Sequence, residues 1–454
     1  MARHTYRSWR RLCMTLFAVL VFCTLRAQPA LTASSVNPAL WPHDVPDDVP
    51  NKEAIGALKP GMRIDKSNWE LVKDLLPRGT LDPIKAGQRS IEIGVGHHHT
   101  PGTKRYIEES QKNIEGIKLN PDGTLQSLNA WKGGLMFPAI DPRDPQAGIK
   151  SMWNWQSRPI GDDRWMPSFK FIQTRGGVEI KSFGCADSTP SRPCWGQLSW
   201  FGRTDVAPVP AYPDNPDNLY QMSMISLDHP YDQADTIILF YRYRDAFTDP
   251  DYFRNRGDDE YAYVPSVRRV RRVTAAQRTD SFGGSDITFD DIDGYTGTVL
   301  ENTYKFFNRE FQLVMVAEGE EYERRWKAGT IYDPTPSLNI PYEVRLTYKI
   351  EATHKSSSYI YGKRVMWLDG EGWQVDAEEI YDRAGKHWKT FTLTGQASKA
   401  TLVEGVTLHT AGSMMYDHQN NTSTMTFIMT HGQTFQLGMT PETFALESLR
   451  KKGR

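Results

Sequence analysis

The sequence predicts a mainly β protein, with few helices, built around one large antiparallel sheet. Residues Ile340–Glu351 alternate between apolar and polar side chains, which is the period of a strand with two different faces. Glycine-containing turn sequences follow at Asp369–Gly372 and Asp382–Gly385, where hairpins need positive φ angles. From Arg164 onward, short apolar runs separated by Gly, Pro and Asp continue this pattern.

Residues 340–394 read as a four-stranded meander. The first strand carries Tyr342, Val344, Leu346, Tyr348 and Ile350 on one face, and Glu343, Arg345, Thr347, Lys349 and Glu351 on the other. The following strands are predicted over Tyr359–Leu368, Trp373–Tyr381 and His387–Leu393. We expect the polar face to be solvated and the apolar face to pack on a second sheet, a helix or an apolar ligand.

The first 33 residues have the composition of an export signal. Four arginines precede the apolar run Leu12–Leu25, and small residues follow around Ala30–Ala33. This order is typical of a secretory signal peptide, and the apolar run is short for a membrane span. A retained signal anchor and a lipoprotein signal at Cys23 are the alternatives, although bulky Phe22 precedes that cysteine.

Charge and hydropathy limit the classes of function. Residues 1–33 contain five arginines and no acid, so the remaining chain has 49 basic and 55 acidic residues, a net charge of −6. This balance argues against a nucleic-acid partner and against a generally basic membrane-binding surface. After residue 33 no stretch approaches 18 uninterrupted apolar residues, so we expect a soluble protein.

The remaining elements follow from periodicity and turn residues. An extended lead-in covers residues 34–60, and four prolines predict a loop over Asp205–Asn218. Helices are predicted over Asn68–Leu76, Thr103–Gly116 and Pro441–Lys451. The predicted strands are Ile91–Val95, short strands within Ile117–Phe137, Trp165–Thr174, Val178–Phe183, Gln197–Gly202, Leu219–Leu227, Thr236–Arg244, Ala262–Val273, Thr303–Ala317 and Met425–Thr430.

Cys185 and Cys194 are the two cysteines that follow residue 33. In an exported chain, two cysteines with a short Pro-containing span between them are best explained by a disulfide that closes a surface loop. A metal or catalytic pair is the alternative, but paired zinc ligands are typically separated by only two to four residues. We therefore predict a disulfide.

Two clusters suggest metal or catalytic chemistry. In the sequence His97-His98-His99, at most His97 and His99 share a side of an extended chain, so we prefer a polar loop to a metal site. The acidic run Asp286–Asp293 lacks the spacing of an EF-hand, and paired acids occur more often on solvated turns than in glycosidases. The sequence contains no nucleophile elbow, zinc-protease helix or phosphate loop. We expect neither catalytic residues, a metal nor a cofactor.

Four arginines lie within Arg268–Arg272. On a strand, Arg269 and Arg271 point to the same side. Such a run can deter aggregation at a sheet edge, dock an acidic partner, hold an anionic headgroup, or pair with the nearby acidic run. We predict that Arg269 and Arg271 contact a partner or a headgroup.

Aromatic residues are frequent on the predicted strands. A packed sandwich core would use most of them, whereas the alternative is a ligand cavity of several hundred cubic ångströms. If Met152–Gln156 is extended, Trp153 and Trp155 share a face and can cover one side of an acyl chain. The predicted wall of this pocket consists of Trp153, Trp155, Phe169, Phe171, Tyr241, Tyr243, Phe311, Tyr359, Tyr361 and Trp367.

Several phrases between about residues 148 and 450 resemble one family of bacterial envelope proteins. They are Gly148–Trp155 with Arg158 and Gly161, Val267–Val273, Phe282–Asp286 with Asp290 and Asp291, Tyr342-Glu343, Ile350–Thr353, Tyr361–Arg364, Tyr381–Gly385 with Trp388, and Pro441. On these residues the chain resembles the domain of unknown function 1329 family, often described as outer-membrane lipoprotein-sorting-like. The expected organisation is a signal peptide at 1–33, an N-terminal extension with the first strands and helices at 34–147, and a lipoprotein-carrier-like β domain at 148–454.

The resemblance implies a fold similar to periplasmic lipoprotein carriers, in which a large curved antiparallel half-barrel encloses helices and an apolar pocket. It implies a periplasmic protein, with outer-membrane association left open, whose partners are a resistance–nodulation–division transporter and an outer-membrane barrel protein. We therefore expect a non-catalytic carrier of lipids or other hydrophobic molecules. An envelope hydrolase acting on glycan or lipid and a lipid-sensing interaction module are the alternatives.

Overall fold

Two large antiparallel sheets dominate the computed structural model, which confirms the mainly β prediction. The structure describes residues 37–41, 43–96, 102–186, 188–265, 268–273, 278–317, 332–333, 337–338, 340–399, 402–428 and 434–452. In these ranges, none of the helices is long and apolar enough to cross a membrane. His97, His98 and His99 lie outside the described residues.

The strands are β1 (Arg63–Ile64), β2 (Ile91–Glu92), β3 (Gly102–Thr103), β4 (Asp163–Met166), β5 (Phe169–Arg175), β6 (Val178–Cys185), β7 (Trp195–Ser199), β8 (Leu219–Ser226), β9 (Ile237–Tyr243), β10 (Asp259–Val264), β11 (Arg269–Val273), β12 (Asn302–Ala317), β13 (Tyr332–Asp333), β14 (Ser337–Leu338), β15 (Tyr342–His354), β16 (Lys363–Asp369), β17 (Val375–Tyr381), β18 (His387–Lys399), β19 (Gly405–Asp417), β20 (Thr422–Phe427) and β21 (Thr434–Phe435). The α-helices are α1 (Arg78–Lys85), α2 (Lys104–Gly116), α3 (Ala147–Gln156), α4 (Tyr252–Asn255) and α5 (Leu446–Lys452). Short 3-10 helices cover Lys52–Ile55, Trp69–Val72, Leu128–Ala130, Arg244–Phe247, Phe282–Gly284, Phe289–Gly294, Val299–Glu301 and Pro441–Phe444.

The larger sheet has ten strands in the order β12-β15-β16-β17-β18-β19-β20-β5-β6, with β3 paired to β19. Its consecutive strands form hairpins, as the turn sequences predict. β12 also pairs in parallel with β18, where Met315 lies opposite Thr394. Five strands, β12 and β15 to β18, therefore close into a ring, and the remaining strands extend the sheet beyond it.

The smaller sheet has seven strands in the order β11-β10-β9-β8-β7-β4-β21. The predicted strand Trp165–Thr174 is in fact two strands, since β4 belongs to this sheet and β5 to the larger one. Pro167 lies between them and cannot donate a ladder hydrogen bond, which explains the break. The chain thus crosses between the sheets at Pro167. The prediction of one continuous strand over Trp165–Thr174 was wrong.

The segment containing Trp153 and Trp155 is helical, so the condition for a shared face, an extended Met152–Gln156, is not met. Residues two apart on a helix point to different sides, and the two indoles do not share a face. Trp153 stacks on Phe247 and donates to the carbonyl of Gly123, whereas Trp155 contacts Tyr295. Helix α3 is buried on nearly all sides, which is why its sequence shows no amphipathic period.

Other predicted elements are partly confirmed. Helix α2 matches the prediction, with the Thr103 hydroxyl accepting from the amide of Tyr106 as an N-cap. Ala262–Val273 splits into β10 and β11, and the predicted C-terminal helix is a 3-10 turn followed by α5. Within Ile117–Phe137 the structure has no named strand among its described residues, and the long strand β19 was missed.

Burial shows that the polar face of the meander is not solvated, contrary to expectation. Glu343, Arg345 and Thr347 on β15 are each at most 2% exposed. Arg345 donates to Asp369 at 2.7 Å and to Glu371 at 2.7 Å, so its charge is paired inside the ring of strands. Alternation in the sequence identified the two faces correctly, but ring closure covers the polar one.

Cys185 and Cys194 form a disulfide, as predicted. Cys185 ends β6 and Cys194 precedes β7, so the bridge joins the two sheets where the chain passes between them. Both sulfurs are buried in an apolar cluster that includes Phe169 and Phe183.

Removal of this disulfide should destabilise the protein. For a closed loop of about ten residues the chain-entropy model gives roughly 2.5–3 kcal/mol. The double variant Cys185→Ser, Cys194→Ser should lower the free energy of unfolding in urea by about that amount. Thiol labelling of the unreduced, denatured protein should find neither cysteine free, and two reactive thiols would contradict the assignment.

Candidate functional site

Phrases from distant parts of the sequence meet between the two sheets, around the segment Phe289–Gly294. Asp290, Asp291 and Asp293 of this segment have side chains no more than 7% exposed. Each accepts hydrogen bonds from an arginine elsewhere in the chain. We call these three aspartates and their partners the inter-sheet network. The acidic run thus pairs with other arginines, while Arg272 of the basic run pairs with Asp259.

Asp291 is the most enclosed member of the network. It accepts from Arg364 at 2.6 Å and from the Tyr361 hydroxyl at 2.8 Å. Burial alone would raise the pKa of Asp291, but attraction to Arg364 and Lys389 outweighs it and lowers that pKa. Arg364 also donates to Glu378 at 2.7 Å, where burial prevails and raises the pKa of the carboxyl to about 7.

Asp293 joins the network to helix α3 and to the smaller sheet. Arg158 donates to it at 2.8 Å and Arg164 at 3.4 Å. The guanidinium of Arg158 lies over the Trp155 ring, and that of Arg164 over the Trp195 ring. Burial acts to raise the pKa of Asp293, yet the two arginines hold it below its ordinary value.

A cavity of about 100 Å³ lies beside the network and is lined by residues of α3 and of the smaller sheet. Among the described residues, Glu260 Oε2 and Trp155 Nε1 are buried there without a hydrogen-bond partner. Burial raises the pKa of Glu260 to about 7, although Arg278 lies 3.4 Å away. At roughly 30 Å³ per water, the cavity suits a few waters and is too small for a lipid chain.

The network is arranged for charge compensation. Asp258 beside the cavity pairs with Arg242 at 2.7 Å, and the other carboxylates are likewise held by arginines. A buried carboxylate paired in this way is stable only while its partner remains. The described residues contain no group of three His, Cys, Asp or Glu side chains that could hold a metal.

We call residues 43–96 the arm. A much larger space lies beneath the arm. This space, the arm cleft, has a volume of about 1320 Å³ and is lined by arm residues 50–85, by β12 and by the polar face of β15, β16 and β17. Ligand pockets of drug-sized molecules occupy about 300–1,000 Å³. The arm cleft therefore has room for an extended alkyl chain.

The arm is held to the larger sheet by Asn51. Its side-chain amide accepts from the amide of Phe311 at 2.9 Å and donates to the carbonyl of the same residue at 2.8 Å. Asn51 thus forms the two hydrogen bonds to the backbone of Phe311 that a neighbouring strand would form. Farther along, the Leu313 amide donates to the carbonyl of Leu75, and Gly79 of α1 packs so closely on Thr390 that no Cβ would fit.

The wall of the arm cleft is mixed in polarity. Its apolar side chains are Leu71, Leu76, Leu81, Phe307, Val365 and Trp367. Leu71 and Phe307 are 37% and 41% exposed. Exposed apolar side chains that line the same cleft are a feature of ligand-binding grooves. Seven carboxylates and five basic side chains complete the wall.

The ten predicted pocket residues do not form one wall. Trp153, Trp155, Tyr241 and Tyr243 belong to the core around α3, Phe311 to the core under the arm, and Phe169, Phe171, Tyr359 and Tyr361 to the core between the sheets. Trp367 alone among the ten lines the arm cleft, where its Nε1 donates to Glu310 at 2.7 Å. The single aromatic pocket predicted from the sequence is therefore corrected to packed cores plus a separate cleft.

The arm contributes half of the cleft, and the sequence analysis assigned it only as a lead-in and a helix. Within the predicted helix Asn68–Leu76 the structure has the 3-10 helix Trp69–Val72, and helix α1 was not predicted. The available signal was the apolar set at Leu71, Leu76 and Leu81, which a polar lead-in would not need.

Arg269 and Arg271 lie on β11, the edge strand of the smaller sheet, and both are exposed. They share a strand face, as predicted, because Val264 and Ala262 of β10 lie opposite them. Arg268 precedes the strand in a turn with a φ of 48°. The role of Arg269 and Arg271 in partner or headgroup contact stays a prediction.

Replacing Arg364 should be strongly destabilising. Arg364→Met leaves Asp291 and Glu378 as buried carboxylates without their main partner, which typically costs about 3–5 kcal/mol. Urea denaturation should show this loss in the free energy of unfolding. The matched control is Arg272→Met on the exposed edge strand, where an ion pair contributes only about 0.2–1 kcal/mol. Equal losses in the two variants would contradict the network.

Glu260 should make stability depend on pH near neutrality. Its pKa is raised from 4.5 to about 7 by burial, so the folded protein binds an extra proton between these values. The free energy of unfolding must therefore fall as pH rises from about 5 to 8. Glu260→Gln should remove this part of the slope, as measured by urea denaturation at several pH values. Glu108→Gln, at an exposed position on α2, should leave the slope unchanged.

Comparison with known proteins places these observations in a family. No curated protein matches the chain. Solved structures that resemble it include an outer membrane lipoprotein-sorting protein domain, so described, from Vibrio parahaemolyticus, with 16% identity, a TM-score of 0.44 and coverage of 68% of this chain and 100% of that one.

A DUF1329 family protein from Desulfovibrio piger has 16% identity and a TM-score of 0.45, over 67% of this chain and 99% of that one. A LolA superfamily protein from Nitrosomonas europaea has 13% identity and a TM-score of 0.35, over 64% and 92%. The family model described as protein of unknown function (DUF1329) matches residues 63–450. The chain therefore belongs to the DUF1329 family.

Proposed function

We propose that this protein is a non-catalytic binding protein that carries lipids or other hydrophobic molecules, and that the arm cleft is its binding site. The observation that carries the proposal is the volume of the cleft, about 1320 Å³. The inter-sheet cavity, by comparison, has about 100 Å³ and is too small for an alkyl chain. Because the core faces of the sheets are packed, a chain-like ligand fits the cleft best.

The cleft offers apolar side chains on two of its sides. Leu76 and Leu81 lie on the arm, and Val365 and Trp367 lie on β16. Each methylene transferred from water to such a surface contributes about 0.8 kcal/mol. A chain of eight to ten carbons that covers half of its surface there gains about 3–4 kcal/mol, so micromolar affinity, about 8 kcal/mol net, also requires contacts at the head.

The cellular setting of the proposal comes from sequence. An export signal before residue 34 favours the periplasm, with outer-membrane association as an open extension. The family resemblance favours a resistance–nodulation–division transporter and an outer-membrane barrel protein as partners. Arg269 and Arg271 on the exposed edge strand offer a basic surface for an acidic partner.

The two alternative functions have less support. A hydrolase would need a free carboxylate within reach of a substrate. Asp258 and Asp293 beside the inter-sheet cavity are paired with arginines. Glu260 keeps one oxygen without a partner among the described residues, but the cavity of about 100 Å³ around it is too small for a glycan or a lipid. A lipid-sensing module would use the same cleft but would change its partner affinity on binding. Partner capture with and without ligand separates a sensor from a carrier.

Variants at the mouth of the cleft test the proposal. Leu71→Ser and Phe307→Ser should each raise the Kd for decyl glucoside about fivefold, since each removes roughly 1 kcal/mol of apolar contact. Isothermal titration calorimetry below the micelle concentration measures this. Leu402→Ser is the matched control, because Leu402 is 60% exposed and lies outside the cleft lining. The proposal is wrong if decyl glucoside does not bind or if Leu402→Ser weakens binding equally.

A further inference from the structure

The inner end of the arm cleft contains buried hydrogen-bond acceptors that have no donor. Gln312 on β12 is 3% exposed and lines the cleft. Its Nε2 donates to Glu310 Oε1 at 3.1 Å, while its Oε1 has no partner among the described residues. Asn308 Oδ1, four residues along the same strand and therefore about 13 Å away, is a second buried acceptor on the cleft without a partner among the described residues.

The orientation of the Gln312 amide is fixed by its neighbour. A flipped amide would place its oxygen against the Glu310 carboxylate, which already accepts from Lys349 at 3.2 Å and from Trp367 at 2.7 Å. The acceptor Oε1 must therefore face away from Glu310. A buried acceptor without a donor costs free energy that a suitable ligand can recover.

The charges in the cleft also argue against an anionic head. Its seven carboxylates exceed its five basic side chains by two. Four of the basic groups are engaged, because Lys349 pairs with Glu310, Lys363 with Glu351, and both Arg78 and Lys85 with Asp82. The cleft therefore offers no concentration of positive charge for an anionic headgroup.

From these observations we infer that the arm cleft selects amphiphiles whose head donates hydrogen bonds and carries no negative charge, such as a polyol or a primary ammonium. The inference rests on the proposed function, since it assumes that the alkyl part occupies the cleft. The head lies at Gln312, and the chain runs along β12 toward Phe307 and the arm residue Leu71.

Four decyl amphiphiles with equal chains test the head preference by calorimetry below their micelle concentrations. Decyl glucoside and decylammonium have donors, decyltrimethylammonium has a positive charge without N–H donors, and decyl sulfate is anionic. The two donor heads should bind at least about tenfold more tightly than the other two, which is the effect of one hydrogen bond to an otherwise unsatisfied acceptor.

A variant at Gln312 locates the effect. Gln312→Leu should reduce the preference of decylammonium over decyltrimethylammonium toward unity and leave the affinity for decyltrimethylammonium unchanged. Gln312→Met, which keeps the length of the side chain and removes the amide, provides the same test if Gln312→Leu does not fold. Gln173→Leu is the control, since Gln173 is half-buried on β5 and lies outside the cleft lining.

The outcomes separate the two proposals. Equal affinities for all four amphiphiles, or tightest binding of decyl sulfate, overturn the head preference and leave the cleft as a chain-binding site. A preference that persists in Gln312→Leu and in Gln312→Met overturns the assignment of the acceptor. If none of the four binds, the proposed function itself fails, and the head preference with it.

Discussion

The contact between the two sheets depends on the pairing of Arg364 with Asp291. Arg364 stands on β16 of the larger sheet, and Asp291 belongs to the segment Phe289–Gly294 between the sheets. Through Asp293, the same segment binds Arg158 after α3 and Arg164 on β4 of the smaller sheet. Buried charges are tolerated only when each finds its partner, so few relative positions of helix and sheets satisfy all of these groups. The network therefore stabilises one particular arrangement of helix α3 and the two sheets.

This constraint determines where a ligand can bind. The core face of β15, β16 and β17 is filled by α3, by apolar side chains and by the network. The polar face of the same strands is closed by the ring at one end and covered by the arm at the other, where the cleft remains. The acyl pocket that the family resemblance implies is therefore proposed on the polar face of these strands. The aromatic residues that first suggest a pocket are packed against each other elsewhere.

The sequence predicts the strands of this fold better than their surroundings. Ile340–Glu351 was placed correctly because alternation depends only on local side-chain direction. The solvation of its polar face was predicted wrongly, because ring closure joins β12 to β18 across more than 70 residues of sequence. Helix α3, which contains Trp153 and Trp155, was not predicted because a fully buried helix lacks an amphipathic period. Asp291 and Arg364 lie 73 positions apart, and no spacing rule connects them.

A mixed wall suits a carrier better than a wholly apolar pocket would. A ten-carbon chain buried on all sides would gain about 8 kcal/mol from its methylenes alone, which corresponds to micromolar affinity without any contact at the head. In the proposed binding mode the chain contacts Leu76 and Leu81 of the arm and Val365 of β16, and the rest of its surface faces charged side chains and solvent. The apolar gain would then be roughly halved, and hydrogen bonds at the head would have to supply the rest. Under this proposal recognition rests on the head, and the affinity stays in the range from which the cargo can be released.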